Sequence, residues 1–247
     1  MQPTFQTVTV LGVPFINTTA ATFLSTLQTR IDQQQATFVV TANPEIVMYA
    51  HDHADYHAIL QRATYITPDG IGILDGAKIL GHTLPERITG FDTLQALLAW
   101  GSDHHKSAYF LGAKPEVVAQ LGKILPQRYP GLNIVGLRDG YFTDEQAVAT
   151  DIAAKHPDMV FAALGFPKQE VFIDTYRHTT HGLWMGVGGS FDVLAGAVIR
   201  APKFWQDHHL EWFYRTVKEP KRLKRIAVIP HYLHLVRQQA KRARSSK

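Results

Sequence analysis

Seven segments of this chain set small, charged or amide residues at the spacing where an α/β protein keeps its chemistry. Thr67-Pro68-Asp69-Gly70-Ile71-Gly72 ends an apolar run with a carboxylate and two glycines. A carboxylate at such a strand end can face a cleft and act as a general base on a hydroxyl. The same residues also describe an Asp in a Pro-Asp-Gly turn. Thr41-Ala42-Asn43-Pro44-Glu45 closes one strand and opens a helix, whose free backbone N–H groups suit an anion. An ordinary Asn43 cap with Pro44 in the first turn reads equally well. In Pro85-Glu86-Arg87-Ile88-Thr89-Gly90-Phe91-Asp92, the planar fork of Arg87 can neutralise a diphosphate, or pair with Glu86 or Asp92.

The other four segments are turns that let a ligand come close. Leu111-Gly112-Ala113-Lys114-Pro115-Glu116 is a small-residue turn suited to a nucleotide backbone. Gly140-Tyr141-Phe142 offers a ring that can stack on a base or pack in the core. Leu164-Gly165-Phe166-Pro167-Lys168-Gln169-Glu170 brings Lys168 and Gln169 into a first helical turn, within reach of a ligand. Gly186-Val187-Gly188-Gly189-Ser190-Phe191-Asp192 has glycines that permit backbone contact with a phosphate or ribose, or form a plain turn.

The elements that must position these segments are legible as alternating runs. Strands are expected over 7–11, 37–41, 65–67, 107–111, 133–137, 159–164 and 183–187, several of them apolar almost throughout, as in strands buried on both faces. Helices are expected over 19–34, 91–100, 115–128, 144–155 and 168–179. This alternation implies an α/β fold with an open, largely parallel, Rossmann-like sheet flanked by helices. Ligands of such sheets sit at the carboxyl ends of the strands. After Gly196 the strand signals stop. Residues 201–218 read as a helix rich in aromatics, Pro220 breaks it, 221–225 is a basic cluster, and 226–244 is a second helical piece.

Charge divides the chain at the same place. Residues 1–195 hold 12 Lys/Arg against 18 Asp/Glu, a net of −6, whereas 196–247 hold 13 against 3, a net of +10. Two parts are therefore expected: a catalytic domain over 1–195 and a basic, aromatic, helical appendage over 196–247 that docks on an anionic membrane. With 45% apolar and 19% charged residues the composition is that of a folded protein. There are no cysteines, so disulfides, thiolate metal sites and a cysteine nucleophile are excluded. The 13 histidines match no metal-binding spacing, and no Asp-x-Asp pair of metal–diphosphate sites occurs, so no metal and no cofactor is expected. Neither a secretory signal nor a spanning run of about 18 apolar residues is found, and a cytoplasmic protein peripheral to the inner face of the membrane is expected. A nicotinamide-dependent oxidoreductase is disfavoured by the missing GxGxxG. A nucleic-acid binder is disfavoured by the acidic main part.

In order and spacing, these segments, together with Arg200-Ala201-Pro202, Glu211-Trp212-Phe213-Tyr214-Arg215 and Glu219-Pro220-Lys221-Arg222, resemble the WecG/TagA/CpsF glycosyltransferase family from about Val8 to Arg225. The resemblance implies an inverting, metal-independent enzyme that uses a UDP-sugar and an undecaprenyl-diphosphate-linked N-acetylglucosamine acceptor. It is nearest to the teichoic-acid branch, which transfers N-acetylmannosamine to the 4-hydroxyl. UDP-ManNAcA or UDP-glucose, used for capsule or exopolysaccharide, is the alternative. Thr41, Asn43, Asp69, Arg87 and Gln169 then map to the pocket, Asp69 as base and Arg87 beside the leaving diphosphate. Gly112, Ala113, Tyr141, Gly188, Gly189, Ser190 and Asp192 would lie along the nucleotide. Arg215, Arg222 and Arg225 match the family's basic tail, tied to membrane docking and the acceptor. Self-association is common in the family.

Overall fold

The computed structural model describes residues 5–198, Pro202, Trp205 and 227–245. The chain opens with a hairpin, β1 (Thr7–Val10) and β2 (Val13–Ile16), which forms its own two-stranded sheet and packs beside the strand Tyr65–Pro68. Helix α1 (Ala20–Asp32) follows, capped by Thr19, whose hydroxyl accepts from Thr22 N–H. Next come β3 (Thr37–Ala42), α2 (Pro44–Asp52), α3 (Ala54–Gln61), β4 (Tyr65–Pro68), α4 (Ile71–Ile79) and α5 (Gly90–Asp103). The second half alternates strictly: β5 (Ser107–Gly112), α6 (Pro115–Arg128), β6 (Asn133–Arg138), α7 (Glu145–Lys155), β7 (Met159–Ala163), α8 (Lys168–Tyr176), β8 (Leu183–Gly186) and the short α9 (Ser190–Leu194).

Six strands form one parallel sheet in the order β4-β3-β8-β7-β5-β6. The expected open parallel α/β sheet is what the chain forms. Successive side chains alternate between the two faces, as the strand period of two requires. Phe38, Val40, Tyr109, Leu111, Val160, Ala162 and Trp184 join one core, together with the hairpin, α2, α3, α4, α7 and α8. Val39, Ala108, Phe110, Met159, Phe161, Leu183 and Met185 join the other, against α1, α5, α6 and α9. Covered on both faces, the strands other than the edge strand β6 are nearly all apolar, which is why they were readable.

The helical piece expected at the C-terminus is α10 (Val228–Ser245). It packs against α2 and α4, and Tyr232 and Val236, one turn apart, are fully buried in the first core. The Tyr232 ring lies where a side chain on Gly76 of α4 would have to be. The Gln239 amide ties α10 to the hairpin: its oxygen accepts from Leu11 N–H at 3.0 Å and its nitrogen donates to the Thr9 carbonyl at 3.3 Å. The expected helix over 201–218, apart from Pro202 and Trp205, and the basic cluster 221–225 lie outside the described residues. Among the described residues no helix is long and apolar enough to cross a membrane.

Candidate active site

Six of the seven segments lie at the carboxyl ends of the parallel strands or in the turns that follow them; the seventh, 85–92, joins α4 to α5 and folds back onto the β4 end. The β4 end carries Asp69. Its backbone N–H donates to the Ala42 carbonyl at 2.9 Å, which continues the β3–β4 pairing by one residue. The segment before α5 is sewn onto this end from both sides. Ile88 N–H donates to the Pro68 carbonyl at 3.0 Å, and the buried Thr67 hydroxyl donates to the Ile88 carbonyl at 3.1 Å. These bonds set half-buried Arg87 next to the strand end.

Gly90 is the pivot of the cluster. Its N–H donates to Asp69 Oδ2 at 3.3 Å, and a Cβ there would come within 2.9 Å of Thr41 Oγ1. Thr41, Asp69 and Gly90 therefore converge. Three helices start around them. Asn43 caps α2, its side-chain oxygen accepting from Ile46 N–H at 3.0 Å. Thr89 caps α5, accepting from Asp92 N–H at 3.1 Å while its hydroxyl donates to Asp92 Oδ2. Gly70, at φ +121°, enters α4, and Gly72 packs so closely on Pro44 that a Cβ would sit 2.8 Å from the proline ring. Each helix start carries a partial positive charge. Negative charge brought here meets three of them.

The β8 and β7 ends are joined by Gln169. Its Oε1 accepts from Gly188 N–H at 3.0 Å and its Nε2 donates to Glu170 Oε1 at 2.7 Å. Ser190, expected to face a ligand, turns its hydroxyl inward to the Val187 carbonyl at 2.6 Å. Asp192 is half-buried on α9, beyond Gly189. On the β5 side, Ala113 N–H donates to the Ala163 carbonyl, and Gly140 N–H donates to the Ala113 carbonyl. Gly112, Ala113 and Gly140 leave a shallow small-residue floor. Tyr141 stands beside it, 72% exposed, on a turn in which its N–H donates to Asp139 Oδ1. Core packing of that ring is thereby excluded.

Strand spacing separates the two ends of this edge. Asp69 follows β4 and Tyr141 follows β6, five strands apart and so about 24 Å at ~4.8 Å per strand. The structure groups Thr41, Asn43, Asp69 and Arg87 at one end, Gly112, Ala113 and Tyr141 at the other, and Gln169, Gly188 and Gly189 between them. Arg215, Arg222 and Arg225 lie outside the described residues.

The residue missed in the sequence is Glu170. It is 1% exposed, and burial pushes its carboxyl up to about 7, only partly offset by hydrogen bonds from Gln169 and its own backbone N–H and by Tyr56. Tyr56, from α3, faces it, but neither the Tyr56 hydroxyl nor Glu170 Oε2 makes a hydrogen bond of good geometry. An ionisable residue one turn before Ile173, on the apolar stripe of α8, was the available signal. A raised folded-state value means that the folded chain holds this proton more tightly than the unfolded chain, whose value is near 4.5. The stabilisation is therefore complete below about pH 4.5 and is lost as pH rises through about 7. Glu170→Gln should match wild type near pH 4.5 and exceed it in stability by about 3 kcal/mol at pH 9. Urea unfolding across that range measures the difference; a gap that stays constant with pH would refute it.

Residues 8–246 match the glycosyl transferase WecG/TagA/CpsF family. The chain belongs to that family. It is 42% identical over 233 residues to a Bacillus spizizenii protein, covering 94% of this chain and 91% of that one. It is 39% identical to a protein of Bacillus subtilis strain 168, covering 92% and 90%. With a protein of Staphylococcus aureus strain MW2 it shares 34% identity, covering 97% and 96%. All three relatives carry the name N-acetylglucosaminyldiphosphoundecaprenol N-acetyl-beta-D-mannosaminyltransferase.

Proposed function

We propose that this glycosyltransferase moves N-acetylmannosamine from a UDP donor to the 4-hydroxyl of N-acetylglucosamine carried on undecaprenyl diphosphate, in the building of wall teichoic acid or a related surface polymer. The observation that carries the reading, within a family whose named relatives perform this transfer, is the meeting of Asp69 with the starts of α2, α4 and α5. In a single displacement, the acceptor oxygen attacks the anomeric carbon as the bond to UDP breaks. Asp69 accepts the hydroxyl proton, and the electron pair of the broken bond leaves on the diphosphate. Negative charge thus grows on UDP in the transition state, and preorganised positive groups there lower the barrier most. Arg87 and the three helix starts supply them without a metal. Thr41 and Asn43 line the same end, and Gln169 holds the middle of the edge. The small-residue floor at Gly112 and Ala113, with Tyr141 beside it, suits the nucleotide, and Gly188, Gly189, Ser190 and Asp192 border its path.

A transfer assay with a short-chain lipid-diphosphate N-acetylglucosamine acceptor and a panel of UDP-sugars tests this reading. UDP-ManNAc should be the preferred donor; preference for UDP-ManNAcA or UDP-glucose would move the enzyme to another polymer, and transfer of none would overturn the reading.

The acceptor's lipid anchor requires work at a membrane surface, and the basic stretch from 196 to 247 is our candidate for docking there. Its +10 charge supports this. Deleting it would also strip Tyr232 and Val236 from the core, so the test uses the full chain. Arg215, Arg222 and Arg225 changed together to Gln should weaken binding to phosphatidylserine vesicles about 100-fold, at ~1 kcal/mol per basic residue. Unchanged sedimentation with vesicles would remove these arginines from the docking surface.

A further inference from the structure

We propose that Glu170 is a positioning residue: it orients the Gln169 amide, and through it the glycine turn after β8 that borders the donor. The inference rests on the reading of this edge as a UDP-sugar site. A side-chain amide can turn over and exchange its donor and acceptor ends. Here one end faces a carboxylate oxygen at 2.7 Å and the other faces a backbone N–H at 3.0 Å. The ionised carboxylate can only accept, so in that state only the nitrogen end can point to Glu170; the protonated carboxyl keeps its carbonyl oxygen as acceptor for the same bond, and in both the amide oxygen is left for Gly188 N–H.

Packing makes this arrangement consequential. The Gln169 amide lies against Gly186, where a Cβ would come within 2.6 Å of Nε2. Gly188 sits in the left-handed region at φ +50°, and nothing lies within 4 Å of where its Cβ would be. The turn is thus open at Gly188, whose N–H is held by the Gln169 amide, while Val187 and Ser190 on either side are held by their own bonds to the Ala162 and Val187 carbonyls. Gln169 is 5% exposed and Glu170 1%, so water does not readily substitute for either partner. If the amide turned over, two N–H groups would oppose each other at Gly188, and the turn would have to move. A buried carboxylate with one unbonded oxygen is an expensive way to hold an amide. Its place beside a binding turn is accounted for by this orienting role.

The test compares two variants of the full chain. Glu170→Met fills the space without an acceptor, and Glu170→Gln keeps an acceptor oxygen and gives the Tyr56 hydroxyl a donor. Glu170→Met is expected to raise KM for the UDP-sugar and Kd for UDP roughly 10- to 100-fold, as displacement of a positioning group does. KM for the lipid acceptor should stay within about threefold and the thermal midpoint should not fall. Glu170→Gln should recover most of the loss. An unchanged donor KM in a folded Glu170→Met, or a loss shared equally by donor and acceptor, would overturn the proposal. Should Glu170→Met fail to fold, wild-type protein labelled with 15N-glutamine decides: the Gln169 amide protons should exchange slowly and shift as Glu170 titrates. Rapid exchange with no such shift would overturn it. Absence of transfer by the wild type would sink the proposed function instead, and would leave that amide signal untouched.

Discussion

Asp69→Asn is expected to lower turnover by about 10³-fold, within the range by which a positioned general base accelerates a reaction, while UDP affinity changes by less than about threefold. The substitution is nearly isosteric. The Asn oxygen can still accept from Gly90 N–H, now 3.3 Å from Asp69 Oδ2. The backbone bond from residue 69 to the Ala42 carbonyl is untouched. Caps, helix starts and the Thr41–Gly90 contact therefore survive, and with them the groups that would hold the diphosphate. What disappears is the ability to take a proton. The comparison separates chemistry from binding: steady-state kinetics give turnover, and a UDP titration gives affinity. Turnover within tenfold of wild type would remove Asp69 as the base. A parallel collapse of UDP affinity would make it a binding group.

Gly112→Ala should produce the largest loss of stability of any single methyl addition at the site, about 3–5 kcal/mol. Gly112 is at φ +117°, a conformation open to glycine and strained for any residue with a Cβ. The added carbon would lie 2.4 Å from both the carbonyl carbon and oxygen of Ala163. Backbone cannot rotate away as a side chain can, so β5 and β7 would have to part where they pair at Gly112 and Ala163. The thermal midpoint should fall by about 10 °C or more for a chain of this size. A midpoint within 2 °C of wild type, measured by calorimetry, would contradict the close approach. Gly165→Ala is the control: it also has positive φ, but nothing lies within 4 Å of its Cβ position. Both substitutions strain the backbone, at φ +117° and +77°, but only Gly112→Ala adds the collision with Ala163, so its loss should be the larger by far.

What could be read in advance followed from local rules. Residues 115–128 are helical as expected because Pro115 suits a first turn and Val117, Leu121 and Leu125 recur on one buried face. Five of the six sheet strands were legible because burial on both faces demands apolar runs; the edge strand β6, with Asn133, Gly136 and Arg138, is only partly buried. β2 was missed because its two-residue turn is Leu11-Gly12, with Leu at φ +47° where Asn is the usual signal. Helix α4 was not among the expected helices, and Gly72 and Gly76 lower the helix propensity of its sequence. Both glycines answer to distant partners, Pro44 and Tyr232. The inward turn of the Ser190 hydroxyl to the Val187 carbonyl has no local signature.

Asp69 itself shows where the division falls. The sequence by itself determined that a carboxylate ends a buried strand, that two glycines follow it, and that the chain's charge reverses after residue 195. Those are properties of neighbours along the chain, and residue type and spacing are enough to state them. Only the tertiary structure decided that Gly90, 21 residues on, donates to that carboxylate, that three helices start around it, and that Glu170 lies under the glycine turn after β8. Each of these depends on which strands lie side by side. The strand order β4-β3-β8-β7-β5-β6 is set by packing across the whole domain and leaves no mark in the residues next to Asp69.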